Sequence, residues 1–435
     1  MKISTGRHAL IDEALQLLKV GTEHGFANPQ SMATGNYSGK EAEVNGIKTI
    51  DLTRLDYLSL GQSREVRAIM KDCIDTFNIS CPTSQMALKS ESTVRLEHTL
   101  ADFHGMKDSV IYLSGYCTNE SIMQVLALRT RVPHLAPYLF ETRIGELTKN
   151  IPTEFFIDQE SHYSLQLSIK MSKLKARGNC LSWLFPTMDY DKLVEFLKRS
   201  REKRGDNAVR VIVSDTVSSM SGKIYDVRTL CDIAEEYDCF LYLDEAHAVG
   251  TLGNEGQGLA SSMADFERFR DRLFIMGTLT KAIAQLGGYV AVSDESLSRF
   301  FRGLSPQYIF SAPLSPWMAE VVIRTIELIR GDYGKNERRK LAGVSSYMRG
   351  RLIETGFEIL ESESQIVPVF IGEEEKSIQA KAYLEQNGFT ASLFMCPAVP
   401  KGQSILRFSL CSDITAEEVD RVVGLLIQAR EKFRF

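Results

Sequence analysis

The sequence predicts an α/β protein with a large domain built on a mostly parallel sheet and a small α+β domain at the C-terminus. Three observations carry this expectation. At 435 residues the chain exceeds what one simple hydrophobic core usually supports. Its middle alternates short apolar runs with stretches of helical periodicity, the pattern of helices layered on a parallel sheet. From about residue 320 the pattern changes to two long charged helices, then a strand, a helix, a strand and a final helix. The expected organisation is an N-terminal helix and arm over 1–55, a large domain over 56–318 and a small domain over 319–435.

Met1-Lys2-Ile3-Ser4-Thr5 leads into an amphipathic stretch with Leu10, Ala14, Leu17 and Leu18 at helical spacing, not into the apolar core of an export signal. A Gly/Asn/Ser-rich loop at 33–46 and a short strand at 47–52 follow. This N-terminal segment is too small to bury a core alone and should dock on a larger domain. Strands are expected at 110–113, 155–157, 209–213, 240–243, 273–276 and 289–292, interleaved with helices at 116–128, 161–174, 189–204 and 225–237. Further helices are expected at 315–330, 336–355, 375–387 and 415–431, with strands at 366–371 and 405–410.

Composition narrows the function classes. The 51 Lys+Arg against 56 Asp+Glu give a net charge of −5, and no basic run or aromatic-interleaved basic stripe offers a footprint for nucleic acid. No apolar run reaches the length of a membrane span. Cys73, Cys81, Cys117, Cys180, Cys231, Cys239, Cys396 and Cys411 form no CxxC pair and have no histidine at metal spacing, so no metal site is expected. Free thiols in a reducing cytoplasm fit this usage.

The chemistry-bearing residues follow the predicted strands. The run at 240–243 delivers Asp244-Glu245-Ala246-His247 at its C-terminal end, where open α/β sheets bind ligands. The same tetrapeptide spells an ATPase box, but that reading needs a Gly-x4-Gly-Lys-Ser/Thr phosphate loop. Gly39-Lys40-Glu41 and Gly222-Lys223-Ile224 both fail at the hydroxyl position. A second run ends in Gly277-Thr278-Leu279-Thr280-Lys281. A lysine there is usually a solvated surface residue, yet a carbonyl-binding lysine needs a lowered pKa and a phosphate clamp beside it, and Thr278 and Thr280 could supply hydroxyls. A third junction, Leu113-Ser114-Gly115-Tyr116-Cys117-Thr118-Asn119, is a strand, a glycine turn and a helix start whose N–H groups would face an anion. A helix terminus contributes only roughly 0.3–1 kcal/mol to an exposed charge, so other groups must share the task. Together the three pieces suit pyridoxal 5′-phosphate (PLP): an acid to keep the pyridine nitrogen protonated, a lysine for the aldehyde and a cradle for the phosphate.

The motifs resemble fold-type-I PLP enzymes, specifically the α-oxoamine synthases. The resemblance runs from about Val44 to the C-terminus through Asp56-Tyr57-Leu58, Leu96-Glu97 to Phe103-His104-Gly105, Asp158 to His162, Ser219-Met220-Ser221-Gly222, Asp244 to Gly250, Thr278 to Ala282, Phe310-Ser311, Pro397 to Pro400 and Leu406-Arg407. It implies a large domain with a mostly parallel seven-stranded sheet. By that resemblance Lys281 would hold the cofactor covalently and Asp244 would pair with the pyridine nitrogen. His247 and Ser219 would bond the ring-hydroxyl side, and His162 would stack on the ring. Ser114, Gly115, Tyr116 and Thr278 would hold the phosphate, with Ser311 reaching in from the partner of a homodimer, and Arg407 would bind the substrate carboxylate. Without it, His162 and Ser219 read as structural residues. The implied partners are an acyl-CoA or acyl-carrier-protein thioester and a small amino-acid substrate. The implied reaction forms an aminoketone with Lys281 as the base and His162 or His247 polarising the thioester.

The chain departs from the family where a glycine-rich segment is replaced by Ile79-Ser-Cys-Pro-Thr-Ser84-Gln85 and a His-Asn-Asp by Thr187-Met188-Asp189, and it has an insertion around 130–152. The loss of the glycine-rich segment, together with Ser362 to Ile366 and the run from Tyr383–Gly388 to Ser409–Asp413, resembles the quorum-sensing α-aminoketone autoinducer synthases. An aminotransferase of the same fold is the alternative; against it stand His247 and the absence of an arginine within a dozen residues after Lys281. A regulatory paralogue without activity is a further alternative, which the presence of Lys281, Asp244 and His247 disfavours.

Overall fold

The computed structural model describes residues 11–17, 19, 39–44, 46–81, 83–129, 151–176 and 178–435. The expected insertion lies outside the described residues up to position 150, as do residues 33–38 of the expected N-terminal loop. The N-terminal strands β1 (Glu41–Val44) and β2 (Ile47–Asp51) form an antiparallel pair, where only β2 was expected.

The central sheet has seven strands: β3 (Asp108–Tyr112), β4 (Thr153–Asp158), β5 (Cys180–Phe185), β6 (Val209–Asp215), β7 (Phe240–Asp244), β8 (Leu273–Thr278) and β9 (Gly288–Val292). Their order is β3-β9-β8-β7-β6-β4-β5, and β9 alone runs against the others. Such strands are covered on both faces, so they read as continuous apolar runs, and six of the seven were legible for that reason. Alternate residues feed two separate cores. Tyr242 and Phe274 pack on one face with helices Gly115–Leu128 and Tyr163–Lys175. Leu241, Leu243 and Ile275 pack on the other with helices Tyr190–Arg204 and Val227–Glu236. The unexpected strand, β5, is one of the two edges, opposite β3; its Leu184 is exposed while Trp183 stacks on Phe156.

The C-terminal region carries β10 (Ile366–Gly372), β11 (Phe389–Thr390), β12 (Ser392–Phe394) and β13 (Ser404–Ser409). Three of these form an antiparallel sheet, β10-β13-β12, while β11 pairs parallel with β2. Long helices Pro316–Arg330, Asp332–Glu354, Glu374–Gln386 and Ala416–Phe433 flank them. Ser409 N–H donates to the Leu52 carbonyl (2.7 Å) and Ser412 N–H to that of Tyr57 (2.9 Å), so the N-terminal arm docks here. Helices Arg64–Thr76, Glu91–Phe103 and Glu295–Leu304 were not expected. Their caps were readable: Ser63, Ser90 and Asp294 each accept a first-turn N–H. No helix among the described residues is long and apolar enough to cross a membrane.

Candidate functional site

The C-terminal ends of β6, β7 and β8 and the start of helix Gly115–Leu128 surround a cavity of about 240 Å³. It is lined by Ser114, Gly115, Tyr116, His162, Ser219, Asp244, His247, Thr278 and Lys281, which brings together nine of the eleven expected site residues. Arg407 lines an adjoining cavity. Ser311 lines neither; it is half-buried, its Oγ 3.4 Å from the Ala312 carbonyl.

Asp244 ends β7 and is buried. Its Oδ2 accepts from Asn119 Nδ2 (2.8 Å) and its Oδ1 from the Ala246 N–H (3.0 Å). Neither donor is a cation, and Asp244 forms no ion pair among the described residues. Asn119 is itself fixed: Tyr242 Oη donates to its Oδ1 (2.6 Å), which assigns Nδ2 as the donor to Asp244 and to Ser164 Oγ (3.0 Å). Ser164 Oγ lies 2.7 Å from His162 Nδ1, and the Ser164 N–H also points at that nitrogen (3.3 Å). A neutral His162 therefore carries its proton on Nε2. Burial lowers the His162 pKa, with Asp244 opposing and Lys281 assisting.

Lys281 Nζ is 2.8 Å from His247 Nε2, and His247 Nδ1 is 2.7 Å from Tyr57 Oη. Burial pulls the Lys281 pKa down to about 8, although Asp244 and Asp215 pull it upward. At neutral pH roughly one lysine in ten is then an uncharged amine, against fewer than one in a thousand for an ordinary lysine. Burial, then the charge of Lys281, then that of Arg407 hold His247 well below its usual pKa, so it is neutral and accepts from the ammonium. Gln365 Nε2 donates to the His247 carbonyl (2.8 Å) and fixes its backbone.

Opposite the lysine, Ser114 caps the helix by accepting the Cys117 N–H (3.1 Å). The first N–H groups of a helix have no intrahelical acceptor, and those of this one open on the cavity beside Thr278 and Thr280, whose hydroxyls are 2.8 Å apart. Space forces glycine at 288, where a Cβ would stand only 2.5 Å from the backbone Gly115 N; one on Gly115 would meet the movable Met276 Cε at 2.8 Å. The concavity suits a phosphate.

Arg407, on β13, donates from Nη1 to the Ser219 carbonyl (2.6 Å) and lies over the Phe394 ring at 4.9 Å. It is buried, its Nε has no partner, and it forms no ion pair among the described residues. This guanidinium lines a cavity of about 1140 Å³ that shares His162, Ser219, His247 and Lys281 with the smaller one and adds apolar Leu360, Phe370, Val399 and Ile405 beside polar Glu160, Gln166, Glu358 and Gln403. The arrangement is an amine and an acid at one cavity, with a cation and a larger, partly apolar chamber beside them.

The donor set fits PLP: a carboxylate without a cation, an amine of lowered pKa, and an anion-sized cradle. Sequence reasoning missed Asn119, Tyr57 and Asp215 as site residues. Asn119 and Tyr57 lay inside quoted motifs but their partners are 125 and 190 positions away. Asp215 carried a usable signal, an acid ending a central strand as Asp244 does.

The family model for aminotransferase class I and II matches residues 47–426. The 8-amino-7-oxononanoate synthase of Nitrosospira multiformis is 27% identical over 377 residues, covering 86% of this chain and 85% of that protein. The serine palmitoyltransferase of Sphingobacterium spiritivorum is 25% identical over 391 residues, covering 89% and 88%. Among solved structures, an SPT variant with PLP superposes with a TM-score of 0.84 at 21% identity, covering 99% of this chain and 100% of that one. The fold is thus that of the fold-type-I PLP transferases, with the expected seven-stranded sheet.

Proposed function

From the premise that the chain belongs to the aminotransferase class I and II family, we propose that it is a PLP-dependent acyltransferase of the α-oxoamine synthase kind. It joins an amino acid to an acyl thioester, giving an α-aminoketone, a free thiol and, with an ordinary amino acid, carbon dioxide. The observation that carries this reading is the joining of the Lys281–Asp244 pocket to a second, larger chamber that is lined by Leu360, Phe370, Val399 and Ile405 and by Arg407, which has no ion-pair partner among the described residues.

Bound PLP supplies an electron sink for the bond broken at the substrate Cα. The Asp244 carboxylate, held by Asn119 and Ala246, keeps a proton on the ring nitrogen. The Lys281 amine, with its pKa near 8, takes the Cα proton at neutral pH and can return it. Arg407 orients the substrate carboxylate, and desolvation of both strengthens that pairing. His162, with its proton on Nε2, donates to the thioester carbonyl as charge develops there. Leu360, Phe370, Val399 and Ile405 take the acyl chain and exclude water. Ser114, Gly115, Tyr116 and Thr278 take the phosphate; Ser219 and His247 border the ring; and Ser311 acts across the interface of a homodimer. The finer reading, a long-chain aminoketone of the quorum-sensing kind, rests on the lost glycine-rich segment at 79–85 together with the runs at 362–366, 383–388 and 409–413.

The test is to supply purified protein with acyl-CoA and acyl-carrier-protein thioesters of several lengths against a panel of small amino acids. Thiol release and product mass are followed. A C–C-bonded aminoketone is the expected product. Amino transfer to a keto acid without thiol release would instead make the enzyme an aminotransferase.

A further inference from the structure

Arg407 rises from the middle strand of the β10-β13-β12 sheet, opposite Pro368 on β10 and Ser392 on β12. Neither neighbour is charged, and neither is long enough to brace a guanidinium. Residues two apart on a strand share a face, and the diagonal neighbour across a strand pair is within reach of an aromatic ring. Phe394, two residues beyond Ser392 and opposite Ile405, is that neighbour. Its ring centroid lies 4.9 Å from the Arg407 guanidinium carbon, inside the span of a cation–π contact, and both side chains line the larger chamber.

The guanidinium needs this brace. Nη1 is given to the Ser219 carbonyl (2.6 Å) and Nε is buried without a partner, so Nη2 is the nitrogen left for an anion in the chamber. A single hydrogen bond anchors one arm of the planar fork and leaves the plane free to turn about it. The ring removes that freedom, because its negative face attracts the cation, and more strongly where water is excluded. Arg407 is 8% exposed, so the attraction acts with little solvent between. The same chamber holds Glu160 and Glu358, which would compete for a guanidinium free to swing. Glu160 instead accepts from Ser218 Oγ (3.0 Å), and Arg407 pairs with neither acid.

We propose that Phe394 is a positioning residue for amino-acid recognition: its ring keeps the Arg407 guanidinium from swinging, so that Nη2 stays presented to the substrate carboxylate. This rests on the reading of Arg407 given above. Phe370, Ile405 and Phe394 form one apolar row across the three strands, and among the described residues Phe394 is the aromatic ring of that row that meets the cation.

The experiment compares Phe394→Leu and Phe394→Tyr with the wild-type holoenzyme. Equilibrium binding of the amino acid is read from the change in the visible absorbance of bound PLP, which needs no acyl donor, and steady-state kinetics give KM for each substrate. Leucine keeps the apolar bulk and removes the aromatic face, so it should weaken amino-acid binding roughly 3–30-fold, the range of a desolvated cation–π contact. KM for the acyl thioester should stay within about twofold, since the lost interaction serves the other substrate. Tyrosine, which keeps the face, should bind the amino acid as the wild type does. In an Arg407→Gln background leucine should cost nothing further, because a residue that acts through Arg407 has nothing left to act on. Unchanged amino-acid binding in Phe394→Leu overturns the proposal. So does a tyrosine variant as weak as leucine, a thioester KM that rises as much as the amino-acid constant, or a full leucine effect in the Arg407→Gln background. If Arg407→Gln alone binds the amino acid like the wild type, the parent reading of Arg407 fails and takes the proposal with it; a wild type without visible absorbance identifies failure of the PLP reading itself.

Discussion

Replacing Lys281 by methionine in protein stripped of PLP should make the chain more stable, and by an amount that depends on pH. The native lysine titrates near 8 instead of the ordinary 10.5, chiefly because it is buried. At about 1.4 kcal/mol per tenfold, keeping this ammonium in the folded chain costs roughly 3 kcal/mol, an upper bound because the side chain still meets solvent at the cavity mouth. Methionine fills much the same volume without the charge but loses the bond to His247, worth about 1 kcal/mol. The net gain should be about 1–2 kcal/mol at pH 7. Between pH 8 and 10.5 the unfolded chain holds more of the lysine proton than the native one, so wild-type stability rises with pH. The advantage of Lys281→Met is therefore full below pH 8 and fades toward pH 10.5. Urea unfolding of both proteins across pH 7–10 measures it. A gap that does not vary with pH, or a wild type more stable at pH 7, would refute the burial of this charge as the source of its reactivity.

Three further outcomes are expected. Asn119→Leu strips Asp244 Oδ2, Ser164 and Tyr242 of a partner, so the urea midpoint should fall by the equivalent of about 2–3 kcal/mol and PLP should dissociate faster on dialysis. Arg407→Gln should lower kcat/KM for the amino acid roughly 30–1000-fold, matching about 2–4 kcal/mol for a buried ion pair, while KM for the acyl thioester changes little in steady-state kinetics. Gly250→Ala places a Cβ 2.5 Å from that of Ala282, beside Lys281, at a backbone φ of +84°; calorimetry should show a loss on the order of 1–3 kcal/mol.

The legible parts of the molecule are those where one local pattern suffices. β7 reads as a strand because both faces are buried, and Asp244 stands out because it ends that run. Lys281 is found the same way, three residues beyond β8. β11 and β12, of two and three residues, are too short to carry a period, and they form only because β2 and β13 are there to receive them. The site supports were hidden for a related reason. Tyr57 meets His247 and Arg407 meets Ser219 across separations of 190 and 188 residues, and nothing in a linear pattern announces such a meeting. Asn119 looks like any polar residue on a helix until Tyr242 and Asp244 bracket its amide.

The pairing of β2 with β11 also sets an order of events during synthesis. Asp51 and its partner Thr390 are separated by about 340 residues, which at roughly 5–20 residues per second take on the order of 20–70 s to translate. Throughout that interval the open side of β2 is a bare strand edge, the kind of surface that recruits foreign strands. Ile50 and Asp51 spend the same interval without their strand partners Phe389 and Thr390. The growing chain is therefore vulnerable to aggregation at this hairpin, and a nascent chain halted before residue 389 should engage chaperones through it.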